Sequence, residues 1–390
     1  MTALKDCQHF SSGECRSCGL LNLSYAKQLK VKQEQTLQAL APFINNDTEI
    51  ESICGAEPAM ASRLKTKLAV SGTVENPILG YPQSSGEVID IKHCPIVDIE
   101  LNRLATQLRE LITAEKLEPY QIHSRSGELK YIILKKSYFY PQVMLRFVLR
   151  SKELVRRIRD ILPELRNLMR DRGREIQTIS VNIQPLPAAI VEGSEEIMLT
   201  EEVYLEDRLA QTELLFSPQS FSQVTPQIAE KLYLKASQKL RAVNSSSVLD
   251  LFCGVGAFGL VALRHNPQLK QVTAVESTAT AVMAANLAAN KNALTNYRAE
   301  QIVVEDFAEL KSHRHHDTLI VNPPRKGLGE KIAQFVIGQK PKHLLYSSCS
   351  LSTLAKDLAC LSPEYKLNSV AVFDMFPMTE HFEVLVQLEH

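Results

Sequence analysis

The chain has 390 residues, 45% of them hydrophobic and 23% charged, with 44 basic and 44 acidic side chains and a formal net charge of zero. That length suits two or three domains rather than one core. No apolar run could span a bilayer, the start Met-Thr-Ala-Leu-Lys-Asp-Cys lacks the build of a signal peptide, and the balanced charge gives no global case for nucleic acid, so a cytoplasmic protein is expected and any nucleic-acid contact must be local.

Residues up to about Leu20 are cysteine-rich and short of core. Cys7, Cys15 and Cys18 form a C-x7-C-x2-C pattern, and Cys94 follows far downstream in Lys92-His93-Cys94-Pro95. Nothing points to secretion, so a disulfide framework is not expected. Four thiolates can hold zinc or an iron–sulfur cluster, and the spacing leaves both open: there is one C-x2-C knuckle where zinc ribbons have two, while a Cys-Pro pair is frequent in ferredoxin-type ligation.

Leu23 to Phe43 reads as a helix with many polar residues. Strand signals follow in Ser62–Gly80 and Gly127–Arg150, strongest in Val143–Arg150. Arg150 to Arg174 holds nine basic residues against four acidic ones, with Leu154, Ile158, Ile161, Leu162, Leu165 and Met169 at helical spacing, which predicts one amphipathic helix with a basic outer face. That face is either an ordinary solvated surface or a phosphate contact. Thr178–Ile183 is the next strand, and this central α+β part ends near Phe216–Gln219.

After Pro226 the pattern alternates. A helix over Gln227–Ala242 precedes a strand over Ser247–Phe252, a helix from Gly256, a strand at Val272–Val275 and a helix over Ala279–Lys291. Strands at Gln301–Val304 and Thr318–Val321, a helix after Gly327, a strand running into Cys349 and a helix from Leu351 complete the alternation. Such alternation implies a parallel sheet covered by helices on both faces. Ser369–Phe373 and Phe382–Leu388 have no helix between them and predict a final antiparallel strand.

In an open α/β sheet, ligands bind beyond the carboxyl ends of the strands. Four features fall there. Asp250-Leu-Phe-Cys-Gly-Val-Gly-Ala-Phe-Gly259 is a glycine loop between strand and helix, where the backbone can approach a ligand. Glu276 ends the next strand, where an acid can bind ribose hydroxyls. Glu305-Asp306 is expected at the end of the third strand, facing an adenine amino group. Asn322-Pro323-Pro324-Arg325 ends the fourth, the two prolines fixing an extended loop. The combination resembles S-adenosylmethionine-dependent methyltransferases. Enzymes that methylate an exocyclic adenine amine usually place an aromatic after the paired prolines, so Arg325 argues against an amine target.

Cys349, at the mouth of the same sheet, is a candidate nucleophile. Pyrimidine C5 is too weak a nucleophile to attack a methyl sulfonium. Addition of a thiolate to C6 makes C5 enolate-like, and after methyl transfer a base must take the C5 proton so that the thiolate can leave. Glu383, opening the last strand, is the candidate base.

Gln219-Ser-Phe-Ser-Gln223, Asp250-Leu-Phe-Cys-Gly-Val-Gly256, Asn322-Pro-Pro-Arg325, Tyr346-Ser-Ser-Cys349 and Asp374-Met-Phe-Pro377 to Glu383 together resemble the RNA uracil-C5 methyltransferase family over nearly the whole chain. The resemblance implies a Rossmann-like methyltransferase domain plus a central α+β RNA-binding domain, with Cys349 as nucleophile and Glu383 as base. It implies that Gln223, Phe252, Gly254, Glu276 and Asn322 contact S-adenosylmethionine, and that Cys7, Cys15, Cys18 and Cys94 carry a 4Fe-4S cluster that braces the RNA-binding region. Thr225 and Ser350 stand where the family usually has asparagine, which bears on loop geometry rather than on bond-making. Within the family the chain is most similar to the branch acting on one uridine in a domain II hairpin of 23S rRNA, through Met144–Arg150, Val181–Pro185 and the lack of room for an N-terminal TRAM barrel. The implied division is 1–20 with 54–222 for RNA binding, 21–53 as a helical segment packing on the catalytic domain, and 223–390 for methyl transfer, in a monomer whose target base is extruded from its stack. A tRNA uracil-C5 methyltransferase, a cytosine-C5 enzyme and a non-catalytic iron–sulfur RNA-binding protein are the alternatives. The first usually lacks the cluster cysteines, the second has a cysteine where Arg325 stands, and the third has no use for Cys349, Glu383 and the glycine loop together.

Overall fold

Alternating buried and exposed positions, with apolar stretches no longer than a strand or a few helical turns, make the chain fold as two large sheets with flanking helices and one small two-stranded sheet, Leu205–Leu209 with Thr212–Phe216. The computed structural model describes residues 7–83, 86–187, 190–310 and 315–390; the first six residues of the cysteine segment lie outside these. The chain divides into two units, Met1–Cys18 with Met60–Glu206, and Gly19–Ala59 with Asp207–His390. The sequence-based boundaries of 20, 53 and 222 thus stand beside structural ones at 18, 59 and 206. Among the described residues no helix is long and apolar enough to cross a membrane.

The first unit is built on a seven-stranded sheet in the order Val88–Asp90, Pro77–Pro82, Lys65–Gly72, Leu129–Lys136, Gln142–Leu149, Glu175–Ile183, Glu195–Met198. Only Gln142–Leu149 and Glu175–Ile183 pair in parallel, because the segment between them crosses over the sheet. That crossover is the basic segment, and it is not one helix. It breaks into Val155–Asp160, Leu162–Asn167 and a 3-10 turn at Arg170–Arg172 that ends on Gly173 in the left-handed region. Pro163 is the reason: it has no N–H to continue the hydrogen-bond ladder and sits where a new helix begins. Its cations are partly engaged within the unit, Arg150 by Glu128, Arg166 by Glu202 and Arg174 by Glu100. Arg146 is only 1% exposed and is held by Glu192 and Glu196, so this arginine of the Met144–Arg150 segment is a core ion pair and not a surface one.

The second unit holds an eight-stranded sheet, in the order Glu49–Ile50, Lys366–Phe373, Glu383–Glu389, His343–Ser348, Thr318–Val321, Ser247–Leu251, Gln271–Glu276, Tyr297–Gln301. The last five of these run parallel. Glu383–Glu389 is antiparallel to both its neighbours, as the missing helix before it predicted. Ser247–Leu251 lies between the second and fourth strands of the alternation, so strand order reverses there and a crevice opens beyond its carboxyl end. Phe252, Leu328 and Tyr346 pack beneath that end with Val275, Leu354 and Val384.

The third strand differs from expectation. It spans Tyr297–Gln301, with Tyr297 and Ala299 buried on one face, and the chain then turns into a short helix, Val304–Phe307. Glu305 and Asp306 therefore lie on a helix rather than at a strand end, and Glu305 is bound to Lys326 at 3.0 Å. Val304 and Phe307, which look like strand residues by composition, are instead the inward face of this one turn.

Candidate active site

Cys349 is the first residue beyond His343–Ser348, and Glu383 opens the strand beside it. The antiparallel register sets Ser348 opposite Val384 and Ser347 opposite Leu385, which brings Glu383 to the same sheet end as Cys349. Glu383 is 2% exposed. Burial pushes its carboxyl up to about 7, while hydrogen bonds from Ser347, at 2.7 Å, and Asn322 hold it from rising further. A carboxylate kept near neutrality is suited to taking a proton at physiological pH. The half-buried Cys349 thiol is also pushed up, first by burial and then by the negative charge of Glu383. The charge and a hydrogen bond of Arg325 oppose this. Arg325 is thus the nearby cation that favours the thiolate.

Cys349 and Arg325 line one cavity of about 270 Å³ together with Gln35, Ser350, Glu380 and His381. The Asn322–Arg325 loop is fixed from behind. Asp357, on the helix Leu351–Leu361, accepts from the Leu328 amide at 2.8 Å and from the Tyr346 hydroxyl at 2.6 Å. Sequence reasoning missed Ser347, Asp357 and Gln35, whose partners are fixed only by the fold. Ser347 alone carried a signal, as a polar residue two positions before Cys349 at the end of an apolar strand.

The glycine loop lies across the crevice at the end of Ser247–Leu251. Gly256 has φ +80°, and a Cβ there would meet the Tyr297 hydroxyl at 2.3 Å, so only glycine fits. Phe252 takes φ +61°, a left-handed conformation that costs a bulky residue energy and marks a constrained site. Glu276 does not hang free. Its Oε2 accepts the Gly254 amide at 3.1 Å, and its Oε1 accepts from Thr278 N and Ser277 Oγ. Asp250 is fully buried, accepts the Gly259 amide at 3.2 Å and is pushed up to about 7 by burial, with the charge of Glu276 adding. Phe252, Gly254, Glu276 and Asn322 therefore gather at adjoining strand ends. Gln223 is half-buried in the loop that leads to the helix Pro226–Ala242. Two residues on, Thr225 donates to the Met375 carbonyl at 2.8 Å, so the departure from asparagine pins the loop at 374–382.

That loop is also held by the helix Tyr25–Leu40. Its buried stripe is largely polar: Gln28, Lys32, Thr36, Leu40. Lys32 Nζ reaches Asp374 Oδ1 at 2.5 Å, the His381 carbonyl at 3.1 Å and the Phe376 carbonyl at 3.2 Å. Tyr25 donates to the other Asp374 oxygen at 2.8 Å.

Cys7, Cys15, Cys18 and Cys94 all belong to the first unit. Among the described residues no group of three or more His, Cys, Asp or Glu side chains is drawn together tightly enough to hold a metal ion. The four thiols are nevertheless neighbours: Cys18 is pushed up to about 12, mainly by burial, with Cys94, Cys15 and Cys7 adding and Arg63 opposing. Mutually repelling, partly buried thiols are the donor chemistry that a thiolate-bound metal or cluster satisfies.

A family model described as tRNA (Uracil-5-)-methyltransferase matches residues 24–390. The chain is 39% identical over 393 residues to a protein of Pasteurella multocida (strain Pm70) named 23S rRNA (uracil(747)-C(5))-methyltransferase RlmC, covering 98% of this chain and 99% of that one. A protein of the same name from Proteus mirabilis (strain HI4320) is 37% identical over 382 residues, 98% of each chain. Among solved structures, Pyrococcus abyssi tRNA (uracil-54, C5)-methyltransferase in complex with S-adenosyl-L-homocysteine matches with a TM-score of 0.77 over 95% of this chain and 85% of that one. At 23% identity this is a likeness of fold.

Proposed function

The chain belongs to the tRNA (uracil-5-)-methyltransferase family, and from that premise we propose that it methylates C5 of one uridine in 23S rRNA, with S-adenosylmethionine as methyl donor. The observation that carries the chemistry is the pairing of Cys349 with Glu383, a thiol and a carboxyl with its pKa near 7 at one sheet end. The Cys349 thiolate, favoured by Arg325, adds to uracil C6. Electron density moves to C5, which takes the methyl group from the sulfonium. Glu383 removes the C5 proton, and the electron pair of that C–H bond restores the C5–C6 double bond as the C6–S bond breaks. The crevice at the glycine loop is where the donor binds, with Phe252, Gly254, Glu276, Asn322 and Gln223 as its contacts. Glu276 fixes the loop through Gly254 and has lone pairs left for ribose hydroxyls.

The choice of 23S rRNA rests on full-length relatives that carry that name. The same reading takes the target to be a hairpin uridine in domain II, flipped into the cavity beside Cys349, and the enzyme to be a cytoplasmic monomer. Cys7, Cys15, Cys18 and Cys94 would hold a 4Fe-4S cluster, which would tie the N-terminal segment to the Cys94 turn; no electron is moved in the reaction. The experiment is methylation of a 23S rRNA domain II fragment and of unmodified tRNA, read by mass spectrometry of the nucleosides. 5-Methyluridine in the rRNA fragment alone is expected, and it disappears in Cys349→Ala. Methylation of tRNA alone would overturn the substrate.

A further inference from the structure

The geometry points to Lys32 as a positioning residue for the proton-removal step, one that sets the Asp374–Phe382 loop and through it Glu383. This rests on the reading of Glu383 as the base. Lys32 and its partner Asp374 are both fully buried. A buried ion pair is a poor source of stability, because the desolvation of two charges offsets their attraction. Stability alone thus gives little reason for a lysine at this position. What sets this one apart is the use of its remaining protons. One bond fixes Asp374 at the start of the loop, and the other two fix the Phe376 carbonyl in the middle and the His381 carbonyl near its end. An ammonium has three donors, and three bonds from this one go to a single loop.

The loop joins Lys366–Phe373 to Glu383–Glu389, so its two ends fix where Glu383 begins. Between them it supplies Glu380, His381 and Phe382 to the wall of the Cys349 cavity. The same helix offers Gln35 to that wall, one turn beyond Lys32. Tyr25 and Gln28 brace the loop further, Tyr25 on Asp374 and Gln28 on Met378, where the Met378 amide donates to Gln28 Oε1 at 3.0 Å. A segment more than 300 residues upstream therefore holds the base through its backbone, without touching it.

Misplacing a proton acceptor by about 1 Å costs on the order of 100-fold. Lys32→Met leaves Asp374 buried and unpaired, so its effect mixes stability with placement. The double variant Lys32→Met/Asp374→Asn separates them: both charges are gone, but the two carbonyls still lack their donor. The readouts are the thermal midpoint, turnover on an rRNA fragment, and the amount of RNA–protein adduct that survives denaturing electrophoresis. Expected for the double variant is a midpoint above that of Lys32→Met, since no charge is left buried alone, and turnover lowered roughly 10- to 100-fold. Adduct should accumulate, because addition and methyl transfer proceed while loss of the C5 proton does not. Wild-type turnover in the double variant would overturn the proposal and leave Lys32 as the neutraliser of Asp374. Slow turnover without adduct would overturn it too, since the defect then precedes the base. Wild-type protein that forms no adduct and no 5-methyluridine defeats the reading of the reaction, not the role of Lys32.

Discussion

Two side chains decide the pH behaviour of the site. As the proposed base Glu383 must be a carboxylate to act, and burial that pushes its pKa up to about 7 means that the active form falls roughly tenfold per unit below that value. The raised Cys349 thiol adds to the trend, because its thiolate fraction grows with pH as well. Steady-state methylation is therefore expected to climb between pH 6 and pH 8; a flat profile over that range rules out the assigned roles. Glu383→Gln should lower turnover by about 100-fold or more and trap the methylated adduct on Cys349, visible as an RNA-dependent shift on a denaturing gel. Stability runs the other way. Asp250 and Glu383 both have folded pKa values raised to about 7 from ordinary carboxyl values near 4. The protonated forms are favoured in the fold, so this contribution is complete below pH 4 and is lost as pH rises through about 7. Glu383→Gln should accordingly raise the thermal midpoint at pH 8 and not at pH 4. An equal midpoint at both pH values would show that burial does not strain this carboxyl.

At the scale of elements, what could be read from the sequence was what lies close together along it. The glycine loop, the paired prolines and Cys349 each end an apolar strand, and the fold does bring those ends together. Contacts made by tertiary packing left no such trace. Lys32 and Asp374 are 342 positions apart, and a lysine on a polar helix looks like solvent-facing decoration until the loop it grips is in place. The segment 150–174 misleads for the opposite reason: its apolar period is helical, but Pro163 interrupts the ladder inside it. Ile302-Val303-Val304 is β-branched and looks like strand, yet Val304 and Phe307 pack inward on a short helix, which carries Glu305 and Asp306 away from a strand end. The clearest test of an element is Gly256→Ala. Its methyl would meet the Tyr297 hydroxyl and require a left-handed alanine, so a loss of about 1–3 kcal/mol is expected, along with weakened S-adenosylhomocysteine binding by calorimetry. Unchanged binding would place the donor elsewhere than at this loop.

For the molecule as a whole, the cysteines separate into two chemistries. Cys349, the proposed nucleophile, lies in one unit, while Cys7, Cys15, Cys18 and Cys94 belong to the other. Protein purified without air is expected to carry about four irons and four sulfides per chain, and Cys94→Ser should lower both. Stoichiometric zinc without iron would replace the cluster by a zinc site. The balanced net charge leaves RNA affinity to local surfaces, and among the described residues the exposed Arg156, Arg157, Arg159 and Arg170 of the broken crossover show no carboxylate partner, Arg157 reaching only backbone carbonyls.

The strand that begins with Glu383 is the last of the sheet to be made, yet it lies inside the sheet, between Lys366–Phe373 and His343–Ser348. It pairs with both neighbours along most of its length, so it fills the interior of the sheet. The proposed base, Glu383, opens this inner strand, and the proposed nucleophile, Cys349, lies just past the end of its neighbour. A stop codon a few residues early would split the sheet in its interior rather than trim an edge.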